Sequence, residues 1–330
     1  MENDNVYYTP KIIENKDYSK EYFTIVSLED SNEVSFSNSI LYQLEESSTW
    51  NTLKSGKTLV LNTNQEVKFK LNNPTISSSS GIGKFSASKK FNVCGNIMSL
   101  LYGDDFIDKI ELSGKNYIFK QLFYNCTNIV EASKLVLPAT ILANNCYYQM
   151  FYKCTSLTTV PELPATILAN YCYYQMFYNC SSLTTAPKLS AITLSEYCYA
   201  YMFDDCTSLT IAPELSATTL ASGCYSNMFK DCSNLTTAPE LPATTLVEKC
   251  YNQMFYGCSN LNHITMLATD ISASDCLKYW VQGVSRTGIF VKNENATWNI
   301  IGGSGITEGW TVINEGGGEK IMIPLMAMNM

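Results

Sequence analysis

The sequence predicts an α/β solenoid of 26-residue repeats, each a short strand plus a short helix, preceded by a small all-β, sandwich-like domain. Three observations lead there. Cysteines recur every 26 residues through the second half of the chain. Each repeat places its apolar residues at a spacing that fits one face of a helix, then a β-branched run closed by proline. The first third carries no repeat and alternates short apolar runs with turn clusters.

Composition is compatible with this and excludes other classes. The chain has 330 residues, 46% of them hydrophobic and 12% aromatic, enough for a packed core. The net charge of −8 lacks the basic footprint of nucleic-acid binding, so no nucleic-acid partner is expected. No stretch approaches the ~18–20 apolar residues that span a bilayer, so no membrane insertion is expected. The start, MENDNVYYTPKIIENKDY, has neither a basic n-region nor an apolar h-region. It reads as a chain made in the cytosol without a signal peptide.

Residues 1–110 form the N-terminal β-domain. Its strand candidates are EYFTIVSL, NEVSFSN, KTLVLN, EVKFKL and GKFSASKKFNV, separated by turn clusters such as Glu29-Asp30-Ser31-Asn32. Val67-Lys68-Phe69-Lys70-Leu71 alternates with the period of a strand.

Residues 111–276 form the solenoid, opening on a degenerate first repeat around Leu122, Phe123 and Cys126. The first full copy reads CYYQMFYKCTSLTTVPELPATILANN from Cys146. Cys146, Tyr147, Met150, Phe151 and Cys154 share one stripe of a helix with 3.6 residues per turn, so a helix of two to three turns is expected. LTTVPEL and its equivalents favour extended backbone. Proline at 161, 187, 213 and 239 limits each strand to about three residues. Such a unit fits a leucine-rich-repeat coil. Stacked strands lie ~4.8 Å apart and packed helices ~8–10 Å, so the helix side should be convex and the strand side concave. Residues 277–314 hold GIFVKN and GWTVIN, two strands that would cap the far end. Residues 315–330 are a glycine hinge and an apolar tail.

The repeat, CYxxMFxxCxSLTxxPELPATxL, resembles the BspA-like leucine-rich repeats of gut bacteria and their phages. The segments GIGKFSASKKFNVCGNIMSLLYGDDF and CLKYWVQGV…TGIFVKN…GSGITEGWTV are similar to the flanks of the same group. The resemblance implies a non-enzymatic surface or interaction protein. Bacterial members are usually exported, which this start does not match. The expected role is therefore that of a phage virion-associated protein, made in the host cytoplasm, contributing to host-surface attachment or virion assembly. A bacterial cell-surface adhesin is the alternative. Expected partners are a protein or glycan on a cell surface, other virion proteins, or further copies of the chain.

Catalytic and cofactor chemistry finds little support. His263 is the only histidine, so a Ser-His-Asp or Cys-His set has one candidate base. Two helical cysteines eight residues apart would stand ~12 Å apart along the axis, too far to share a zinc ion. The cysteine, methionine and first tyrosine columns read as core. Neither an enzyme nor a cofactor or metal site is expected. The candidate binding surface is the concave face: Thr158, Thr159, Glu162, Thr184, Thr185, Lys188, Thr210, Glu214, Thr236, Thr237 and Glu240. Extended faces of this kind are where repeat proteins bind. Tyr148 and Tyr174, which vary between copies, are further candidates. A second candidate is the tail, where Ile321, Met322, Ile323, Leu325 and Met326 would dock after the glycine break.

Overall fold

The protein is described here from a computed structural model. It describes residues 16–45, 47–72, 74–78 and 81–315, together with the backbone of 320–321.

The N-terminal unit packs two sheets face to face. β1 (Phe23–Ser27), β2 (Asn32–Phe36), β3 (Ile40–Leu44), β4 (Asn51–Leu53), β5 (Thr58–Leu61), β6 (Glu66–Lys70), β7 (Phe85–Ala87) and β8 (Phe91–Asn96) follow in chain order. A six-stranded sheet has the order β4-β3-β6-β1-β8-β9, where β9 is Ile129–Val136. A three-stranded sheet has the order β5-β2-β7. Phe23 and Phe69 on the first sheet each lie 5.1 Å, centroid to centroid, from Phe85 on the second. All three are fully buried, and this aromatic contact is the sandwich core. The five sequence-predicted strand segments are all present; β3 and β4 are additional.

The repeats do not contain helices. The one α-helix among the described residues is Ser99–Tyr102, outside the full repeats. This overturns the expected α/β leucine-rich-repeat solenoid. The segment from Asn145 to Cys154 is instead a chain of tight turns. Every fourth residue adopts the left-handed region: Asn145 (φ 56°), Gln149 (φ 54°) and Lys153 (φ 56°), and likewise Tyr171, Gln175 and Asn179. Between them, N–H groups donate three residues back, as Met150 does to Tyr147 (3.2 Å) and Cys154 to Phe151 (3.2 Å). The alternate N–H groups donate to the next coil: Tyr147 to Cys172, Gln149 to Tyr174, Phe151 to Met176, each at 2.9 Å.

The misreading has a definite cause. Apolar offsets of 0, 1, 4, 5 and 8 fit a period of four as well as a period of 3.6. A left-handed residue every fourth position resets the winding and keeps the same side chains inside. Each such non-glycine residue costs about 1–2 kcal/mol. The position recruits Asn, Asp and Gly repeatedly (Asn179, Asp205, Asn227, Asp231, Gly257), residues that tolerate it best. At Gly223 (φ 61°) a Cβ would stand 2.3 Å from the Tyr197 ring, which would have to move to admit a side chain.

Coil spacing changes with it. Phe151–Phe177, Phe177–Phe203 and Phe203–Phe229 stack at 5.5, 5.7 and 5.7 Å. That is close to strand spacing and well short of the 8–10 Å that packed helices need. The geometric reason for a convex helix side and a concave strand side is therefore gone.

The array joins its caps through full strands where the repeat proline is missing. Ser133 stands at the position of Pro161, and β9 forms there and pairs in parallel with β8. Thr265 stands at the same position in the last repeat, where β10 (His263–Met266) pairs in parallel with β11 (Ile289–Asn293). β11 pairs with β12 (Thr311–Glu315), and the backbone of β13 (Lys320–Ile321) returns antiparallel to β12. The core is continuous across the N-terminal junction: Phe85–Phe123–Phe151 stack at 5.9 and 5.1 Å.

Candidate functional site

Each repeat turns outward at a Leu-Thr-Thr-x-Pro segment, and these segments line up on the face opposite the turn ribbon. Leu157, Leu183, Leu209 and Leu235 are fully buried and anchor the segments. Parallel bridges 26 or 28 residues apart (Glu131 to Thr159, Thr185 to Ile211, Thr237 to His263) set the register. All eleven sequence-predicted residues of this face are exposed: Thr158, Thr159, Glu162, Thr184, Thr185, Lys188, Thr210, Glu214, Thr236, Thr237 and Glu240. Ile211, 60% exposed, interrupts the threonine column. Among the described residues no ion pair joins Lys188 to Glu162 or Glu214 in the neighbouring coils.

The coils are not bonded uniformly here. Thr158 N–H donates to Val130 O (2.9 Å) and Ala132 N–H to Thr159 O (3.0 Å). Ala186 N–H donates to Ile211 O (3.2 Å) and Thr210 N–H to Thr184 O (3.0 Å). Ala238 N–H donates to His263 O (2.9 Å) and Asn262 N–H to Thr236 O (3.0 Å). Among the described residues, no backbone hydrogen bond joins 158–160 to 184–186, or 210–212 to 236–238. Ahead of the proline the coils therefore pair two by two, although Leu163 and Leu189 form a parallel bridge across the first gap beyond it. Successive residues of a strand direct their hydrogen-bonding groups to opposite sides, so three residues ended by proline cannot ladder fully on both.

A cleft opens at each unpaired gap. The first, about 590 Å³, lies between Thr158–Leu163 and Thr184–Lys188. The second, about 400 Å³, lies between Thr210–Glu214 and Thr236–Pro239. The hydroxyls follow the same alternation. Thr158 Oγ1 donates to Val130 O (3.0 Å) and Thr210 Oγ1 to Thr184 O (3.2 Å). Among the described residues, the hydroxyls of Thr184 and Thr236, facing the gaps, have no protein partner.

The first tyrosine column is core: Tyr147, Tyr173, Tyr199, Tyr225 and Tyr251 are all buried. Tyr148 and Tyr174 are half-buried and stack at 4.9 Å with planes 8° apart. Tyr124–Tyr152–Tyr178 stack at 4.7 Å each. Within these columns the ring faces cover one another, leaving mainly edges and hydroxyls to solvent. The arrangement is a packing ladder rather than a sugar-stacking platform.

That outer column holds a feature the sequence reading passed over. After Tyr178 the equivalent positions carry Asp204 and Lys230, then Tyr256. Asp204 is 2% exposed, and its Oδ1 lies 3.8 Å from Lys230 Nζ, which also reaches Asp231 at 3.1 Å. Burial pushes the Asp204 carboxyl up to about 7, opposed by Lys230 and reinforced by Asp231 and Asp205. Opposite charges at one repeat offset in adjacent copies were the available signal. The cysteines are all buried and free. Those at Cys154, Cys180, Cys206, Cys232 and Cys258 donate to phenylalanine carbonyls one coil back, at 2.9–3.2 Å. Burial pushes the thiols of Cys172 and Cys180 up to about 12.

His263 lies half-buried in β10. Of the candidate docking tail, only the backbone of Ile321 is described, paired with Val312. Met322, Ile323, Leu325 and Met326 lie outside the described residues. Among the described residues, no helix is long and apolar enough to cross a membrane. No family model, curated protein or solved structure matches the chain.

Proposed function

We propose that the chain is a non-enzymatic binding protein, associated with a phage virion, whose threonine- and glutamate-bearing strand face contributes to host-surface attachment or virion assembly. One observation carries the reading. Eleven polar residues, picked out by their place in the repeat, are all exposed on one face of a stack bonded coil to coil along its other side. A surface of that kind presents many weak contacts in fixed register, which suits an extended ligand. The resemblance of the repeat and its flanks to BspA-like sequences supports a surface or interaction role. Mass spectrometry of purified virions tests the location. Finding the chain in stoichiometric amount supports the reading, and finding it only in a bacterial surface fraction replaces it with the adhesin. Charge reversal at Glu162, Glu214 and Glu240 tests the face: attachment or assembly should fall while the melting temperature holds.

A further inference from the structure

We infer that the two strand-face clefts are a paired site for one neutral carbohydrate chain, a deepening that rests on the attachment reading above. The clefts recur at the same place in the repeat, although Lys188 lines only the first and Ile211 replaces Thr159 in the second. Each places an unpartnered threonine hydroxyl, Thr184 in the first and Thr236 in the second, beside backbone groups that the neighbouring coil leaves unbonded. Val160 N–H faces the first gap and Ala212 N–H the second, whereas their counterparts Ala186 and Ala238 are hydrogen-bonded. These groups combine donors and acceptors at short range, with threonine methyls, Val160 and Ala186 supplying apolar contact between them. A sugar ring offers the complement: hydroxyls that donate and accept around its rim, and C–H faces.

Charge narrows the class. The net charge is −8, Glu214 lines the second cleft with no basic residue beside it, and in the first Glu162 is balanced by Lys188, so neither cleft is net positive. An anionic chain would be repelled, while carboxylates accept readily from sugar hydroxyls. Geometry argues against an inserted peptide. A strand adds at a free sheet edge, but these gaps lie between coils held 5.5 and 5.7 Å apart by the phenylalanine column. An intervening strand would need roughly twice the ~4.8 Å strand spacing. The clefts lie two coils apart, about 10 Å by that same spacing. A chain of two-sugar repeats has a matching length, so one oligosaccharide would engage both.

The test is calorimetric titration of the full chain with neutral disaccharides and hexasaccharides of glucose, mannose, galactose and N-acetylglucosamine. At least one hexasaccharide should bind about tenfold more tightly than its disaccharide, as expected for two linked sites. Thr184→Val and Thr236→Val should each weaken the hexasaccharide, and together they should reduce it to disaccharide affinity with an unchanged melting temperature. Absence of binding across the panel at millimolar sugar, or binding that ignores both variants, overturns the inference. Decapeptides that bind in place of the sugars overturn it too. If attachment or assembly still depends on Glu162, Glu214 and Glu240 while no sugar binds, the carbohydrate inference falls and the attachment reading stands. If sugar binds through the clefts but attachment ignores the face, the attachment reading falls instead.

Discussion

The two sides of the repeat stack are built from the same 26 residues and bonded in different ways. On the turn side every gap between neighbouring coils is closed, from Phe119 N–H donating to Cys146 O through to Tyr251 N–H donating to Cys276 O. On the strand side every second gap lacks backbone hydrogen bonds ahead of the proline, and in the first of these Leu163 and Leu189 form a single parallel bridge beyond it. The turn side repeats a four-residue unit several times per coil, so it offers several inter-coil donors. The strand side has three residues before proline and cannot serve both neighbours. Rigidity thus comes from the face that looks irregular, and ligand-ready groups come from the face that looks like a sheet.

The largest effect should come from the turn side. Phe203 is fully buried between Phe177 and Phe229, so Phe203→Ala should destabilise by ~3–5 kcal/mol in denaturant unfolding. A loss below ~1 kcal/mol would mean that the phenylalanine column does not hold the stack together.

Next is Asp204→Asn. The folded carboxyl sits at about 7, above its usual 3.8. The native state therefore binds the proton more tightly than the unfolded chain does. The wild-type contribution is full below pH 4, declines between 4 and 7, and is lost above 7. The variant should be more stable by roughly 2–4 kcal/mol at pH 8 and equal to wild type at pH 3. Lys230 keeps Asp231 as a partner in the variant. Thermal melts at the two pH values check this, and a variant less stable at pH 8 would show that the Lys230 pairing outweighs burial.

Thr184→Val probes the strand side and should stay within ~0.5 kcal/mol of wild type, because its exposed hydroxyl holds nothing together. Hydrogen exchange needs no substitution at all. The amides of Ala186 and Ala238 should be protected and those of Val160 and Ala212 should not, although all four occupy the same repeat position. Equal protection at the four would erase the distinction between closed and open gaps.

The period, the buried columns, the exposed face and the cap strands other than β3 and β4 were legible because each depends on which residues are apolar and how far apart they stand. The four-residue turn ribbon was not, because the inner-face residues Cys146, Tyr147, Met150, Phe151 and Cys154 satisfy periods of 3.6 and 4 alike and so read as a helix. The left-handed positions Gln149, Lys153 and Tyr171 are residues that do not announce such a conformation. β3 was missed because Ile40-Leu-Tyr-Gln-Leu44 lacks clean alternation. The clefts were illegible for another reason: Thr158-Thr159 and Thr184-Thr185 are identical in sequence, and only their neighbours' bonding separates them.

Two-by-two pairing also bears on how such an array can change length. A single repeat removed from the middle, for instance residues 172–197, restores the four-residue turn register at once. It leaves an odd number of strand segments between β9 and β10, so one segment must face an open gap on both sides or a cap must surrender its pairing. Removing two adjacent repeats preserves parity and deletes one cleft together with its closed neighbour. The doublet is therefore the smallest block that can leave the array without orphaning a strand segment.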